Sequence, residues 1–450
     1  MEPATAGVLY AAENLLQGAA ALVKGVTHPT LPIKANLTHL SSVPFPRSHH
    51  TVTVVKGRAY IFGGEVAPGK LADNDMHVVI LPSSGVLEAD YTSYPARSTN
   101  GLDDVPVPRR KHTAVAIGNN IYLFGGQGDG VTHEKARVWV YSTVSNSWSF
   151  LDPAPESLKP SPRYSHAAAS SDLPGPRATT YQEKAPQAPA DPAKVVPEPA
   201  EPDSWGTIFV VGGRAVLGDE LSVEALAFDV RTRTWSNIPA PTGEPRDGAS
   251  IALVGDQLYR FGGKGEAPAA TATEFLDVSH VWKHAESGTT PLSTGWTWQE
   301  LPRVKHDGSA IPAPAGRYNA GLVGVTTGQG RQYLLAVGGA DDNQTLLEDI
   351  WALQLAPEAS TAAAAKDSIR HSIKRDTHES EWAEVQYSYV DTKGEEEINT
   401  SKKPSHGIGA RAYFGISKGT EIDGATCILW GGLDAEGNVL SDGWMITVDR

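Results

Sequence analysis

The sequence predicts an all-β fold of six repeated four-stranded units set around one axis. Three observations predict it. Six apolar runs end in a glycine pair: YIFGG at Gly63-Gly64, YLFGG at Gly125-Gly126, FVVGG at Gly212-Gly213, YRFGG at Gly262-Gly263, LAVGG at Gly338-Gly339 and ILWGG at Gly431-Gly432. An arginine stands upstream of each: Arg47, Arg109, Arg163, Arg246, Arg317 and Arg411. Most of the units then close on a tryptophan with an aliphatic residue three places on: Trp148…Leu151, Trp235…Ile238, Trp298…Leu301 and Trp382…Val385.

Within one unit the elements follow in order. In the three uninterrupted copies (Arg47, Arg109, Arg246) the arginine precedes the first glycine by sixteen residues, a span that holds two short strands. The turns between them, VKGR, IGNN and VGDQ, have the glycine and asparagine chemistry that a tight hairpin needs. Arg317 and Arg411 carry longer turns, TTGQG and KGTEIDG, and the hairpin after Arg163 is interrupted by a much longer segment. Third strands follow as DMHVVI, ARVWVY, VEALAFD, EFLDVSHVW, EDIWALQL and DGWMITV. The fourth strand of the first unit is weak, VLEADYTSY without a tryptophan. Such a unit cannot bury both faces alone, and radial stacking on its own copies leaves only short protected edges.

The glycine pair after a β run, the upstream Pro-Arg and the downstream tryptophan together resemble the kelch repeat. The resemblance covers roughly residues 35–450 and implies a six-bladed β-propeller of the galactose oxidase/kelch type. The last unit ends at Arg450 without a fourth strand, whereas ANLTHLSSVPFP precedes Arg47 with Leu37 and Leu40 at the Trp…Leu spacing. Residues 35–42 are therefore expected to supply the outer strand of the sixth blade, removing two unpaired edges at once. Residues 1–34 read as an N-terminal extension with a short helix over 5–26 that props the propeller. Two insertions interrupt the ring: the proline-rich stretch 172–204, expected to be disordered, and 356–381, expected to include a short helix outside the barrel.

Composition bounds the function. A formal charge of −14 without a basic block argues against nucleic acid, whose phosphates need Lys and Arg. No apolar run approaches the roughly eighteen residues a membrane span needs. The single cysteine, Cys427, rules out a disulfide framework within the chain. MEPATAG does not read as a signal peptide, so the sequons at Asn36, Asn343 and Asn399 are expected to be idle and the protein cytoplasmic.

In a propeller, the loops entering the inner strands and those leaving the second strands share one face. The six arginines are thus expected around one mouth of the central channel, joined by Glu65, Gln127, Arg214, Lys264, Asp341 and Asp434 after the glycine pairs. Arginine takes carboxylates and sulfates bidentately, and in kelch proteins that bind acidic peptides, arginines at this motif position touch the ligand. The bland alternative is that each arginine ties its loop to a neighbouring blade. His50, His112 and His166 each follow an arginine by three residues, but Ala249, Ala320 and Phe414 match them in the later units, so no metal is expected.

Enzymes on this scaffold can be checked by residue. A copper radical oxidase needs a tyrosine joined to a cysteine, and Cys427 in CILWGG reads as a core residue. Plant specifier proteins hold iron with an E-x-x-x-D-x-x-x-H arrangement that does not occur here. No cofactor is expected and no catalytic residue is assigned. The leading expectation is a non-catalytic scaffold that recognises a protein partner, with an acidic segment as one option, at an arginine-lined mouth. The alternative is an intracellular lyase or isomerase that takes a small anionic ligand in the same pocket.

Overall fold

The computed structural model describes residues 26–40, 45–81, 90–101, 104–129, 134–175, 205–282, 295–305, 308–328, 330–390, 396–398, 407–419 and 424–449. Five four-stranded antiparallel sheets and one six-stranded sheet form the six blades of a propeller, and two two-stranded ribbons, Glu65–Ala67 with Lys70–Leu71 and Arg163–Tyr164 with Arg214–Ala215, lie beside them. The inner strands are Thr51–Val55, Thr113–Ile117, Ala167–Ser171, Asp247–Val254, Gly321–Thr326 and Gly415–Lys418. Each pairs with the second strand that ends in a glycine pair, as in Thr113↔Phe124 and Ala167↔Val211.

The fourth-strand tryptophans act between blades. Trp148 is fully buried against Tyr60, Phe62 and Met76 of the preceding blade. Trp235 packs on Tyr122 and Phe124, Trp298 on Phe209, and Trp382 on Tyr259 and Phe261, each again reaching one blade back. A large flat side chain suits a gap that widens outward, and burying one contributes several kcal/mol, roughly 25 cal/mol per Å² of apolar surface. The first blade lacks this tryptophan, and Phe45 and Trp430 fill its wedge against blade six instead.

The ring closes through the N-terminal strand. Lys34–Leu40 pairs antiparallel with Gly443–Asp449, with Leu37 opposite Ile446 and His39 opposite Trp444. Leu37, wholly buried, packs on Val325, Leu335 and Ile350 of blade five, the job that tryptophan does elsewhere. The far edge of this strand is covered as well. Gln386–Val390 runs parallel to it, Lys34 opposite Gln386, and Glu396–Ile398 adds a sixth strand. The chain thus leaves the outer strand of blade five and passes at once into blade six. This was not foreseen from the sequence, because QYSYV follows Trp382…Val385 with no turn signal between.

Within 356–381 lies the helix Ala362–Ser372, capped by the Thr361 hydroxyl, which accepts from the Ala364 amide at 3.2 Å. Its Arg370 donates to the carbonyls of Val26 and His28, and Asp367 pairs with both Arg331 and Arg370. The expected helix over 5–26 and most of the insertion 172–204 lie outside the described residues.

Candidate functional site

The glycine pair is the hinge on which each blade meets the next. The amide of every second glycine donates to the carbonyl of the next blade's motif arginine: Gly64 to Arg109, Gly126 to Arg163, Gly213 to Arg246, Gly263 to Arg317, Gly339 to Arg411 and Gly432 to Arg47, at 2.8–3.2 Å. All these glycines have positive φ, for example +61° at Gly63 and +86° at Gly64. A Cβ on Gly63 would stand 2.5 Å from the Arg109 carbonyl oxygen and 2.8 Å from His112 Cε1. Only glycine satisfies both the dihedral and the approach.

The arginine side chains turn inward. Arg109, Arg163 and Arg317 are wholly buried, and Arg47 and Arg411 nearly so. Arg109, Arg163, Arg317 and Arg411 each donate to the carbonyl of their own blade's first glycine, at 2.9–3.4 Å. Each then closes on an acid before the third strand: Glu134, Glu224, Asp349 or Asp442. Arg47 instead meets His77 Nε2 at 3.0 Å and Asp73 at 3.5 Å, under the Phe45 ring. The expectation of a solvent-facing arginine rim is corrected for these five. Their position faces the blade's own loops, and the guanidinium supplies the charge-assisted bonds that hold those loops down. Only Arg246 stays half-exposed.

The residue two places after each arginine forms the mouth. His49, Lys111, Ser165, Gly248, Asn319 and Tyr413 all lie in the left-handed region, with φ between 50° and 61°. Each donates its amide to the carbonyl of the preceding member, and His49 donates to Tyr413, closing a six-membered backbone circle at 2.8–3.3 Å. Five of the six are not glycine, a conformation that costs of order 1 kcal/mol or more apiece. The circle offsets that cost and leaves the residue type free to differ from blade to blade. The repeated arginines and glycine pairs do not point to this column, whose signal is a place where the repeat fails to repeat.

Below the circle runs a channel of about 560 Å³ walled by the inner strands, with Val52, Val54, Ala114, Ala116, Ile251 and Val323 among its lining. The histidines expected to match are set between blades. His112 Nε2 lies 3.0 Å from the Thr51 hydroxyl, and His166 Nε2 lies 2.8 Å from that of Thr113, each reaching one blade back. His50 faces Gly415, where no hydroxyl exists, and both its ring nitrogens lack a partner. Burial, with Arg47 nearby, pushes His50 down to about 3, and burial with Arg163 does the same for His166. Among the described residues the one cluster of three metal-capable groups is Asp376, His378 and Glu381, which lies outside the channel and is already engaged by Lys305.

The post-glycine residues surround the mouth unevenly. Glu65 is buried, paired with Arg110, and 3.5 Å from His49 Nδ1. Gln127 accepts from Arg110 at 3.2 Å. Arg214 donates to Asp247 at 2.7 Å, and Lys264 lies over the Tyr318 ring at 5.0 Å. Asp341 and Asp434 cap their own loops, accepting from the amides of Asn343 and Thr345 and of Glu436 and Asn438. Lys111 lies 5.4 Å from the Tyr164 ring. Burial, and then the bond to Asp219, raises Tyr164 to about 12. Burial, reinforced by Lys111 and Arg110, pushes His49 down to about 3, so it is neutral near pH 7.

A family model, the KLHDC2/KLHL20/DRC7 Kelch-repeats domain, matches residues 34–173, which span the closing strand and the first two blades. Kelch repeats are thus matched over the first third of the chain, and the whole chain forms a six-bladed β-propeller. Kelch domain-containing protein 3 of Bos taurus is 30% identical over 169 residues, 35% of each chain. An N-(sulfonatooxy)prop-2-enimidothioate sulfolyase of Thlaspi arvense is 32% identical over 131 residues, 29% of this chain and 34% of that protein. The matched part of this propeller thus spans about a third of the length of these curated relatives. The solved structure titled "Structure of YjhT" aligns over 91% of this chain and 99% of that one, with 15% identity and a TM-score of 0.49. No helix among the described residues is long and apolar enough to cross a membrane.

Proposed function

We propose that this kelch propeller is a non-catalytic binding protein that engages a protein partner at the channel mouth. The observation that carries this reading is the closed backbone circle, which holds five unlike side chains, those of His49, Lys111, Ser165, Asn319 and Tyr413, in one fixed backbone conformation. Binding surfaces are commonly built on such rigidly held loop positions. Lys111 supplies a cation there, His49 and Tyr413 an aromatic pair with centroids 4.3 Å apart, and Asn319 an amide. Arg214 and Lys264 extend the polar rim. The mouth is poorly equipped for proton transfer near neutral pH, since His49 is held neutral and Tyr164 keeps its proton.

Charge reversal tests the reading. Lys111→Glu with Arg214→Glu should lower the melting temperature by several °C yet keep a cooperative transition, because both side chains are partly exposed and Arg214 gives up its ion pair with Asp247 of the next blade. Affinity purification from the source organism should then lose the stoichiometric partner that wild type retains. Equal recovery by both proteins would sink the mouth as the docking surface. A second reading, a lyase or isomerase, is favoured by the channel volume and by the likeness to a sulfolyase. A small sulfated or carboxylated molecule retained in place of a protein would establish that reading instead.

A further inference from the structure

On its way into the ring the chain passes beside the helix Ala362–Ser372. Val26 and Thr27 are helical, and Val26 is 5% exposed. Three successive carbonyls here are taken by guanidiniums. Arg370 donates from Nε to Val26 at 3.2 Å and from NH2 to His28 at 3.2 Å, and Arg375 donates from NH1 to Thr27 at 3.0 Å. The last carbonyls of a helix have no amide of that helix to accept from, and cations are stabilising beside them. Two further bonds hold the chain that follows. Thr30 Oγ1 donates to the Thr377 carbonyl at 3.2 Å, and the Tyr333 hydroxyl donates to the Thr30 carbonyl at 3.0 Å. The chain entering at Val26 is therefore fixed against the end of the helix Ala362–Ser372.

Beside that anchor the helix shows an uncovered apolar stripe. Ala362, Ala365 and Ile369 are exposed at helical spacing, and Ile373 continues the row just past the helix end. Ile369 is 36% exposed and Ile373 52%. The other side is taken up, with Ala363 buried and Asp367 paired with both Arg331 and Arg370. Two exposed isoleucines one turn apart, on a helix whose other face is already packed, suit contact with a second helix.

Residues 1–25 lie outside the described residues, and their sequence carries the complement. Val8, Leu15, Leu16, Leu22, Val23 and Val26 recur at helical spacing along one side, and Glu13, Gln17 and Lys24 fall on the other. Residues 8–25 as a helix would be about 27 Å long, against about 16 Å for Ala362–Ser372, enough to run its full length. Because Val26 is already held there, a segment continuing from it meets the isoleucines at a local concentration of roughly millimolar. A second copy of the chain in dilute solution cannot match that.

We infer that residues 8–25 dock as an amphipathic helix on Ile369 and Ile373, so that the blade-five insertion is the receptor for the N-terminal segment. The two form a clasp on the closing strand Lys34–Leu40, holding the chain just before it pairs with Gly443–Asp449. The clasp is independent of the channel mouth and of the function proposed for it.

Two pairs of substitutions in the full chain test it, using glutamine because it is polar and a good helix former. Ile369→Gln with Ile373→Gln, and Leu15→Gln with Leu22→Gln, should each lower the melting temperature by about 1–3 °C. All four together should lower it no further than either pair alone, because one contact is lost in each case. Amide hydrogen exchange reads the docking directly: residues 8–25 should be protected in wild type and lose that protection in the isoleucine variant, while Lys34–Leu40 keeps its own. Additive losses, absent protection in wild type, or protection that survives the isoleucine changes would each overturn the inference. So would a wild-type dimer in sedimentation that the isoleucine changes dissociate, since a second copy would then cover the stripe.

Discussion

Blade two and blade four are written with one motif and use its arginine in opposite ways. Arg109 is wholly buried and held by Glu134 and the Gly125 carbonyl, with His112 bonded back to Thr51 across the joint. Arg246 is half-exposed and unpaired, Ala249 stands in the histidine's place, and Arg260 replaces the aliphatic residue that is Leu123 in blade two. The difference teaches that the motif arginine is a structural element by default. Where its own blade supplies no acid before the third strand, as at Ala272, the guanidinium stays partly exposed.

The largest effect should come from breaking the one joint that neither blade contains. Beginning the chain at Phe45 removes Lys34–Leu40, which lies between Gly443–Asp449 and Gln386–Val390, and so exposes two sheet edges together with the wedge that Leu37 fills. The cooperative thermal melt should be lost, and an unchanged melt would refute closure by this strand.

Next in size is the contrast between the two arginines. Arg109→Ala strands Glu134 and opens a cavity, and should cost about 3–5 kcal/mol in denaturant melts. Arg246→Ala should cost less than about 1 kcal/mol, as for a surface change. Equal losses would mean that blade four is locked in a way its geometry does not reveal.

The smallest effect concerns the histidines of blades one to three. His50 and His166 titrate at about 3 in the folded protein against 6.5 when unfolded, and His112 lies well below 6.5, in each case chiefly through burial. The unfolded chain therefore binds more protons between these values. Stability is fully present above about pH 6.5 and falls as the pH drops towards about 3, by about 1.4 kcal/mol per pH unit for each histidine. His166→Phe, the residue type at Phe414, should make that slope shallower by one proton. An unaltered slope would place the acid sensitivity elsewhere.

Much of the architecture was legible in the chain because repetition reports on local geometry. Glycine pairs at positive φ, alternating strands and the tryptophan wedges depend on neighbours close in sequence or one repeat away. The closing strand was legible for a related reason, since a last unit lacking its fourth strand must find one. The parallel strand Gln386–Val390 was not, because nothing local distinguishes a fifth strand from a connector. Of the proposed mouth, Lys111, His49, Asn319 and Tyr413 were not singled out from the sequence, because they stand where the repeat varies.

The amino-acid order alone thus determined the six-fold repeat and the residue types at each joint. Only the tertiary structure decided which face of each residue meets solvent. An arginine's reach of several ångströms lets it fold back on an acid some 25 to 60 residues away, as Arg109 does with Glu134 and Arg163 with Glu224. Whether that acid stands within reach is a property of strand register across the blade, and at Ala272 the register brings a methyl group where the other blades bring a charge.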